Sequence, residues 1–424
     1  MNLQNRSLLI CALLAAALFG CAAPEPTPAP TQAPPSPPAA TPPPVAAPAP
    51  APLVAAPFPD AVARAGKRLF DDTAQRLGTE PRVLIIDPLI DASSGAQTLA
   101  SSEMGRWLSQ QVQAAHPEWS VKDFNRGSLA SAPLLLIGTL TAINTKPASG
   151  DPADAFRICL RIYDLKTGRV VAKGLDRATV DTVNAEPLPV FRDSPTWHKD
   201  KTVAGYIKSC QATPNVGDPI DPTYMLRLPA AAVINEAQIA YGEKRLADAA
   251  RLFKEASAVA EPEDLRVLNG LYLTSWRLGR QREAGEAFRK IVAQGIAARQ
   301  LPLKLLFTPG KALPITLPDL QSQYTMWMRE VAQASDTSGA CLRVVGHTSP
   351  TGSATINDTL SGLRATYVKE RLERNVGKLR GRVDSQGAGS RENLIGLGTD
   401  DLRDALDRRV EFKVVECSGV AAKT

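Results

Sequence analysis

The chain has 424 residues, with 49 Lys and Arg against 43 Asp and Glu, a formal charge of +6. That modest excess gives weak attraction to anionic surfaces, and no basic–aromatic motif accompanies it, so no nucleic-acid partner is expected. Ordinary apolar content allows packed cores, and the length suits two or three domains behind a leader.

The leader comes first. Arg6 precedes an apolar run that closes on Leu-Phe-Gly-Cys at 18–21. The run is too short to span a bilayer comfortably, and it ends on small residues. Residues 1–20 resemble a bacterial lipoprotein signal peptide with its lipobox. The resemblance implies cleavage before Cys21, acylation of Cys21 with palmitate-type chains and, because Ala22 follows rather than Asp, transfer to the outer membrane, facing the periplasm. An ordinary secretory signal or an uncleaved anchor is the alternative. Behind Cys21 the chain is almost all Pro and Ala to residue 57. Pro fixes φ and supplies no backbone donor, so a polyproline II tether is predicted over 21–57. At ~3.1 Å per residue it reaches at most roughly 110 Å.

Four cysteines remain beyond Cys11 and Cys21: Cys159, Cys210, Cys341 and Cys417. An even number in an exported chain favours disulfides over metal. No Cys-x-x-Cys spacing or nearby His suggests zinc, so no metal is expected. Three connectivities are open. Cys159–Cys210 and Cys341–Cys417 are the expected pairs, each inside one proposed domain, with buried free thiols as the alternative.

Residues 58–228 form the first block, predicted as an α+β periplasmic domain. Apolar spacing predicts helices over 60–76 and 101–115. Strands are predicted over 82–87, 133–143, 155–163 and 169–173, with a turn at Asp164–Gly168. The run "IGTLTAI … FRICLRIYDLKTGRVVAKG" resembles the core hairpin of lipoproteins related to CsgG, FlgO and LpoB. The resemblance implies the fold and carries over no functional residue. Residues 185–223, rich in Pro, Asp and polar side chains, read as a long surface loop pinned by Cys210. It holds Trp197 and His198, the latter read as solvated rather than a ligand.

The second block, 229–299, repeats. Ala249, Phe253 and Ala256 recur 35 residues later as Ala284, Phe288 and Ile291. A small residue lets two helices approach while Phe fills the gap. The block resembles two tetratricopeptide-like units, although their usual period is 34 and the first turn lacks its Gly. Two units are too few for a stable array, so they are expected to pack on a neighbour, as a peptide-binding groove or as a spacer.

The third block, 300–417, carries "LLFTPGKALP", "CLRVVGHTSPTGSATINDTLSGLRATYVKERL", "VDSQGAGSRE" and "ALDRRVEFKV" in order, before a tail at 418–424. These resemble the motifs of the OmpA C-terminal, peptidoglycan-associated domain, an α/β sandwich. The whole then reads as a multidomain α+β protein. Members of that family bind the diamino acid of the peptidoglycan stem peptide, an Asp meeting its ammonium and an Arg its carboxylate. A zwitterion needs one anion and one cation at short range, and Arg offers a two-pronged donor. Arg364 falls on the arginine position, Asn357 on the loop asparagine, Ser349 on the aspartate position beside Thr348, and Arg408 within the closing motif. Ser349 supplies no charge, and Asp358 is a possible substitute outside the motif. Asp407 replaces the usual Asn, and Asp404 stands where Arg is common. His347 is expected to support the loop. In this fold Cys341 begins a central strand and Cys417 ends the last, which suits a bridge if the two run antiparallel side by side.

No nucleophile–base pair, phosphate loop or metal spacing appears, so a non-enzymatic protein without cofactor is expected. The leading reading is an outer-membrane lipoprotein that anchors or positions an envelope complex on peptidoglycan. The alternative is an accessory or scaffold lipoprotein of a secretion, curli, flagellar or wall-synthesis assembly, binding envelope protein partners and no longer peptidoglycan.

Overall fold

The computed structural model describes residues 53–419 apart from 79, 132, 147–151, 198, 213–214, 262–263 and 316–317. The leader, Cys21, nearly all of the tether, His198 and all but the start of the 418–424 tail lie outside the described residues.

The amphipathic stretch after the tether forms α1 (Phe58–Leu77), which buries Ala61, Val62, Ala65 and Leu69. Next come β1 (Arg82–Ile86), a two-residue β2 (Ile90–Asp91) and α2 (Leu99–Ala115). Thr98 and Ser101 close a reciprocal capping box at the start of α2, satisfying two otherwise orphan N–H groups. Then follow β3 (Trp119–Lys122), the short α3 (Arg126–Leu129), β4 (Leu134–Ile143), β5 (Ala155–Asp164) and β6 (Arg169–Thr179).

These strands form one sheet in the order β3-β1-β4-β5-β6, with β2 paired to β4. Pairing is parallel from β3 through β4 and antiparallel from β4 through β6. Both faces of β4 are buried. Leu134, Leu136 and Leu140 pack with α1 and α2, while Leu135 and Ile137 pack with Cys159, Cys210 and Tyr224 on the other side. That two-sided burial explains the unbroken apolar run.

The second face is covered by residues that the sequence assigns to a loop. Residues 185–223 contain α4 (Pro189–Asp193), α5 (Lys201–Gln211) and the start of α6 (Pro222–Gly242). Asp200 and Asp221 cap α5 and α6 with their side chains. The polar residues that suggested a loop are therefore helix caps. Cys210 of α5 is paired with Cys159 of β5, Cα–Cα 6.1 Å, so the bridge fixes a helix to the sheet.

Helix α6 begins two antiparallel hairpins, continued by α7 (Leu246–Val259), α8 (Leu265–Arg277) and α9 (Gln281–Ala297). Ala249, Phe253 and Ala256 are buried, as are Ala284, Phe288 and Ile291. A side chain at Gly270 of α8 would collide with the Phe253 ring, so this glycine sets how closely α7 and α8 approach.

The chain ends with β7 (Gln300–Leu306), α10 (Pro318–Thr337), β8 (Cys341–Gly346), α11 (Ala354–Asn375), β9 (Val383–Gly387) and β10 (Arg409–Val415), in a four-stranded sheet ordered β7-β10-β8-β9. Helix α10 completes the apolar faces of α8 and α9. Trp327 stacks on Phe288 at 5.5 Å between centroids, and its indole N–H donates to Tyr272 Oη at 2.8 Å. β8 and β10 run antiparallel with Cys341 opposite Val415, and Cys341 is paired with Cys417, Cα–Cα 5.1 Å. Among the described residues there are thus eleven α-helices and two mixed sheets, and no helix is long and apolar enough to cross a membrane.

Candidate functional site

The candidate site forms where β8 runs out into the loop before α11. His347, Thr348 and Ser349 leave the strand buried. Ser353 caps α11, its Oγ accepting from the Ile356 N–H at 3.3 Å. From the first turn Asn357 reaches back, its Nδ2 donating to the Thr351 carbonyl at 2.9 Å and toward that of Ser349 at 3.5 Å. Asn357 therefore closes the loop. Thr348 is anchored by its backbone N–H on the Gly389 carbonyl at 2.9 Å, and its buried hydroxyl has no partner among the described residues.

Arg364 lies on the inner face of α11 and is fully buried. Its Nε donates to the Lys311 carbonyl at 3.0 Å, Nη1 to that of His347 at 2.8 Å and Nη2 to that of Thr308 at 3.1 Å. The guanidinium also stands over the Phe307 ring at 5.1 Å. All three acceptors are neutral. Among the described residues no carboxylate lies within ion-pair distance of Arg364. Burial, with the neighbouring positive charge of Arg408, lowers its pKa to about 10.

Arg408 is treated differently. Its Nη1 donates to Asp404 at 2.5 Å and approaches Asp400 at 3.5 Å, and its Nη2 donates to the Asp401 carbonyl at 2.7 Å. Asp404, also fully buried, accepts the backbone N–H groups of Thr399 and Asp400 at 2.8 and 3.0 Å. Asp404 therefore has its own cation. Asp407 likewise has a structural task, its carboxylate accepting from the N–H groups of Leu394, Ile395 and Gly396.

The residue that the sequence reading missed is Asp400. Ser349 Oγ donates to its Oδ1 at 2.5 Å, and Thr351 Oγ1 to its Oδ2 at 2.7 Å. An anion thus stands beside Ser349, supplied from 51 residues downstream. Asp400 is about one-third exposed and bears electrostatically on Arg364. Its backbone is left-handed, φ 54°, a conformation that Asp tolerates better than most side chains. Asp358, the substitute considered from the sequence, pairs with Arg391 on the surface. Only the acid-rich "TDDLRD" string hinted at this region, and nothing in it specified Ser349.

His347 supports the loop through its backbone, donating N–H to the Arg409 carbonyl and receiving Arg364 on its own. Its ring is buried, with pKa lowered to about 2 by burial and by Arg409 and Lys413.

No family model matches the chain, and none of the curated proteins matches it. Parts of it are similar to solved structures. The peptidoglycan-associated lipoprotein of Burkholderia pseudomallei is 19% identical over 26% of this chain and 89% of that one, TM-score 0.23. The cell wall anchor of the type VI secretion system of Pseudomonas aeruginosa is 22% identical over 30% and 95%, TM-score 0.23. The C-terminal domain of LpoB from Salmonella enterica is 14% identical over 29% and 98%, TM-score 0.22. At these scores the likeness carries no argument about what the chain binds.

Proposed function

We propose that the chain is a non-enzymatic outer-membrane lipoprotein that anchors or positions an envelope complex on peptidoglycan. Arg364 and Asp400 would receive the carboxylate and ammonium of the stem-peptide diamino acid. The observation that carries this reading is the buried guanidinium of Arg364 without a counter-anion. An uncompensated buried charge is costly, and a ligand carboxylate relieves that cost. Asp400, pinned by Ser349 and Thr351, offers the matching anion. Entry to Arg364 requires the turn that carries the Thr308 and Lys311 carbonyls to move aside.

The second reading, a scaffold that has lost peptidoglycan binding, is favoured by one specific fact. Every nitrogen of Arg364 already serves a backbone carbonyl. Co-sedimentation of the whole chain with purified peptidoglycan separates the two. Wild type is expected to sediment. Arg364→Lys, which keeps charge but loses the fork, and Asp400→Asn should each weaken that by about tenfold or more. A folded wild type that stays in the supernatant gives the scaffold reading the lead.

A further inference from the structure

A cavity lies between the two sheets, away from the loop just described. Its walls include Asp91, Phe191, Trp197, Lys304, Leu306 and Leu406. We propose that it is a binding site for a small carboxylate with an apolar body.

Three observations carry the proposal. The walls are mainly apolar, with few polar groups, the composition of small-molecule sites. The free volume is about 50 Å³, several times what one water needs (~10–15 Å³). Above all, Lys304 is aimed into this space from β7 and is 95% buried, given its 5% exposure. Its Nζ donates to the carbonyls of Phe191 at 2.5 Å and Arg192 at 3.2 Å. An ammonium has three donors, so the third has no acceptor among the described residues. Lys304 makes no ion pair among the described residues, so a carboxylate supplies both that acceptor and a direct counter-charge, while its chain lies against Trp197, Leu306 and Leu406.

The other charges around the cavity are occupied. Arg192 pairs with Asp193 and Glu186, and Arg403 with Asp401. Asp91 accepts from the backbone N–H and hydroxyl of Ser94, both at 2.7 Å, and Lys199 bears on it. Its negative charge disfavours a dianion and leaves a monocarboxylate as the fitting ligand. Burial lowers the Lys304 pKa to about 7, opposed by Asp193 and reinforced by Arg192. Burial raises the Asp91 pKa to about 6. Carboxylate affinity should therefore fall from pH 6 to pH 8, as Asp91 completes its ionisation and Lys304 loses its proton.

The test uses hexanoate, with hexan-1-ol as the uncharged control and hexylamine as the cationic one, titrated into the whole protein. Trp197 emission is the readout, identified by difference against Trp197→Phe. Hexanoate should produce a saturable change, with hexan-1-ol weaker by about tenfold or more and hexylamine inert. Lys304→Met should erase the preference for hexanoate. Ala405→Leu, which keeps the amine and fills the cavity, should abolish binding of both, and it carries the test if Lys304→Met fails to fold. Equal binding of hexan-1-ol, a Lys304→Met variant that keeps its preference, a flat profile from pH 6 to pH 8, or no response to hexanoate each overturns the proposal.

Discussion

Two regions of the chain differ from the motifs they resemble, and they do so in different ways. In the loop before α11, Ser349 carries no charge of its own, and its hydroxyl donates to Asp400, which reaches it from across the fold. In the helical hairpins, Lys244 stands where the second hairpin has Gly279, and both adopt the left-handed conformation, φ 62° and 74°. In the first, a distant residue places a charge beside the serine. The second is borne locally as backbone strain. A missing charge can be replaced through space because the field of a carboxylate does not depend on which residue carries it. A missing glycine cannot, because φ belongs to the residue itself.

The loop arrangement should therefore be the more fragile of the two, and Arg408 is the place to break it. Arg408→Ala leaves Asp404 buried without its cation, and the segment that presents Asp400 loses its anchor. Breaking a buried pair from one side costs about 3–5 kcal/mol. Urea unfolding of the whole chain should show that loss. A cost near zero would mean that Asp404 is held by its backbone donors alone.

Acid tests the same shell without a mutation. The folded pKa of His347 is lowered to about 2, whereas its unfolded value is near the ordinary 6.5. Between these values the unfolded state binds the extra proton, so the stability that neutral His347 confers is present above about 6.5 and is lost as pH falls. The slope reaches at most about 1.4 kcal/mol per pH unit. Unfolding midpoints between pH 7 and pH 4 should fall more steeply for wild type than for His347→Asn. Parallel curves would show that the ring is hydrated or protonated in the fold.

Ser349→Asp sharpens the comparison further. From the motif alone it restores a lost anion. In the structure it sets a second carboxylate against Asp400, where Ser349 Oγ now donates at 2.5 Å. Loss of that charge-assisted bond, with repulsion added, should cost about 1.5–3 kcal/mol. The swap that also carries Asp400→Ser should recover most of it, since one anion then remains. Stabilisation by Ser349→Asp alone would refute the compensation.

Much of this was legible in the sequence because the signals were local. The apolar run of β4, the alternation in β5, the small-then-Phe spacing of α7 and α9, and the closing motif leading into β10 all announce themselves within a few residues. The cysteine pairs followed from count and blocks. The 185–223 region was misread because Asp and Pro mark helix starts as well as loops. Asp400 was missed because its partner is 51 residues away and its loop has no period. The neutral shell of Arg364 was hidden for the same reason, being built from backbone carbonyls of Thr308, Lys311 and His347 that no side-chain pattern encodes.

The smallest effect concerns the helical departure itself. The two turns are equivalent in detail. Lys244 N–H donates to the Tyr241 carbonyl at 3.0 Å and Arg245 N–H to that of Ala240 at 2.9 Å. Thirty-five residues on, Gly279 donates to Trp276 at 3.0 Å and Arg280 to Ser275 at 2.8 Å. The bonds that close each helix are thus the same, and only the residue at the left-handed position differs. A side chain there costs about 1–2 kcal/mol, while glycine carries up to about 1 kcal/mol of extra unfolded-state entropy. The exposed Lys244 makes no ion pair among the described residues. Lys244→Gly should accordingly stabilise the chain by up to about 1 kcal/mol, and Gly279→Lys should destabilise it by a similar amount. Thermal unfolding of the two variants measures the same term with opposite sign. If neither moves the midpoint, the strain is relieved by the turn as a whole, and the contrast between a charge replaced through space and a conformation borne in place does not hold.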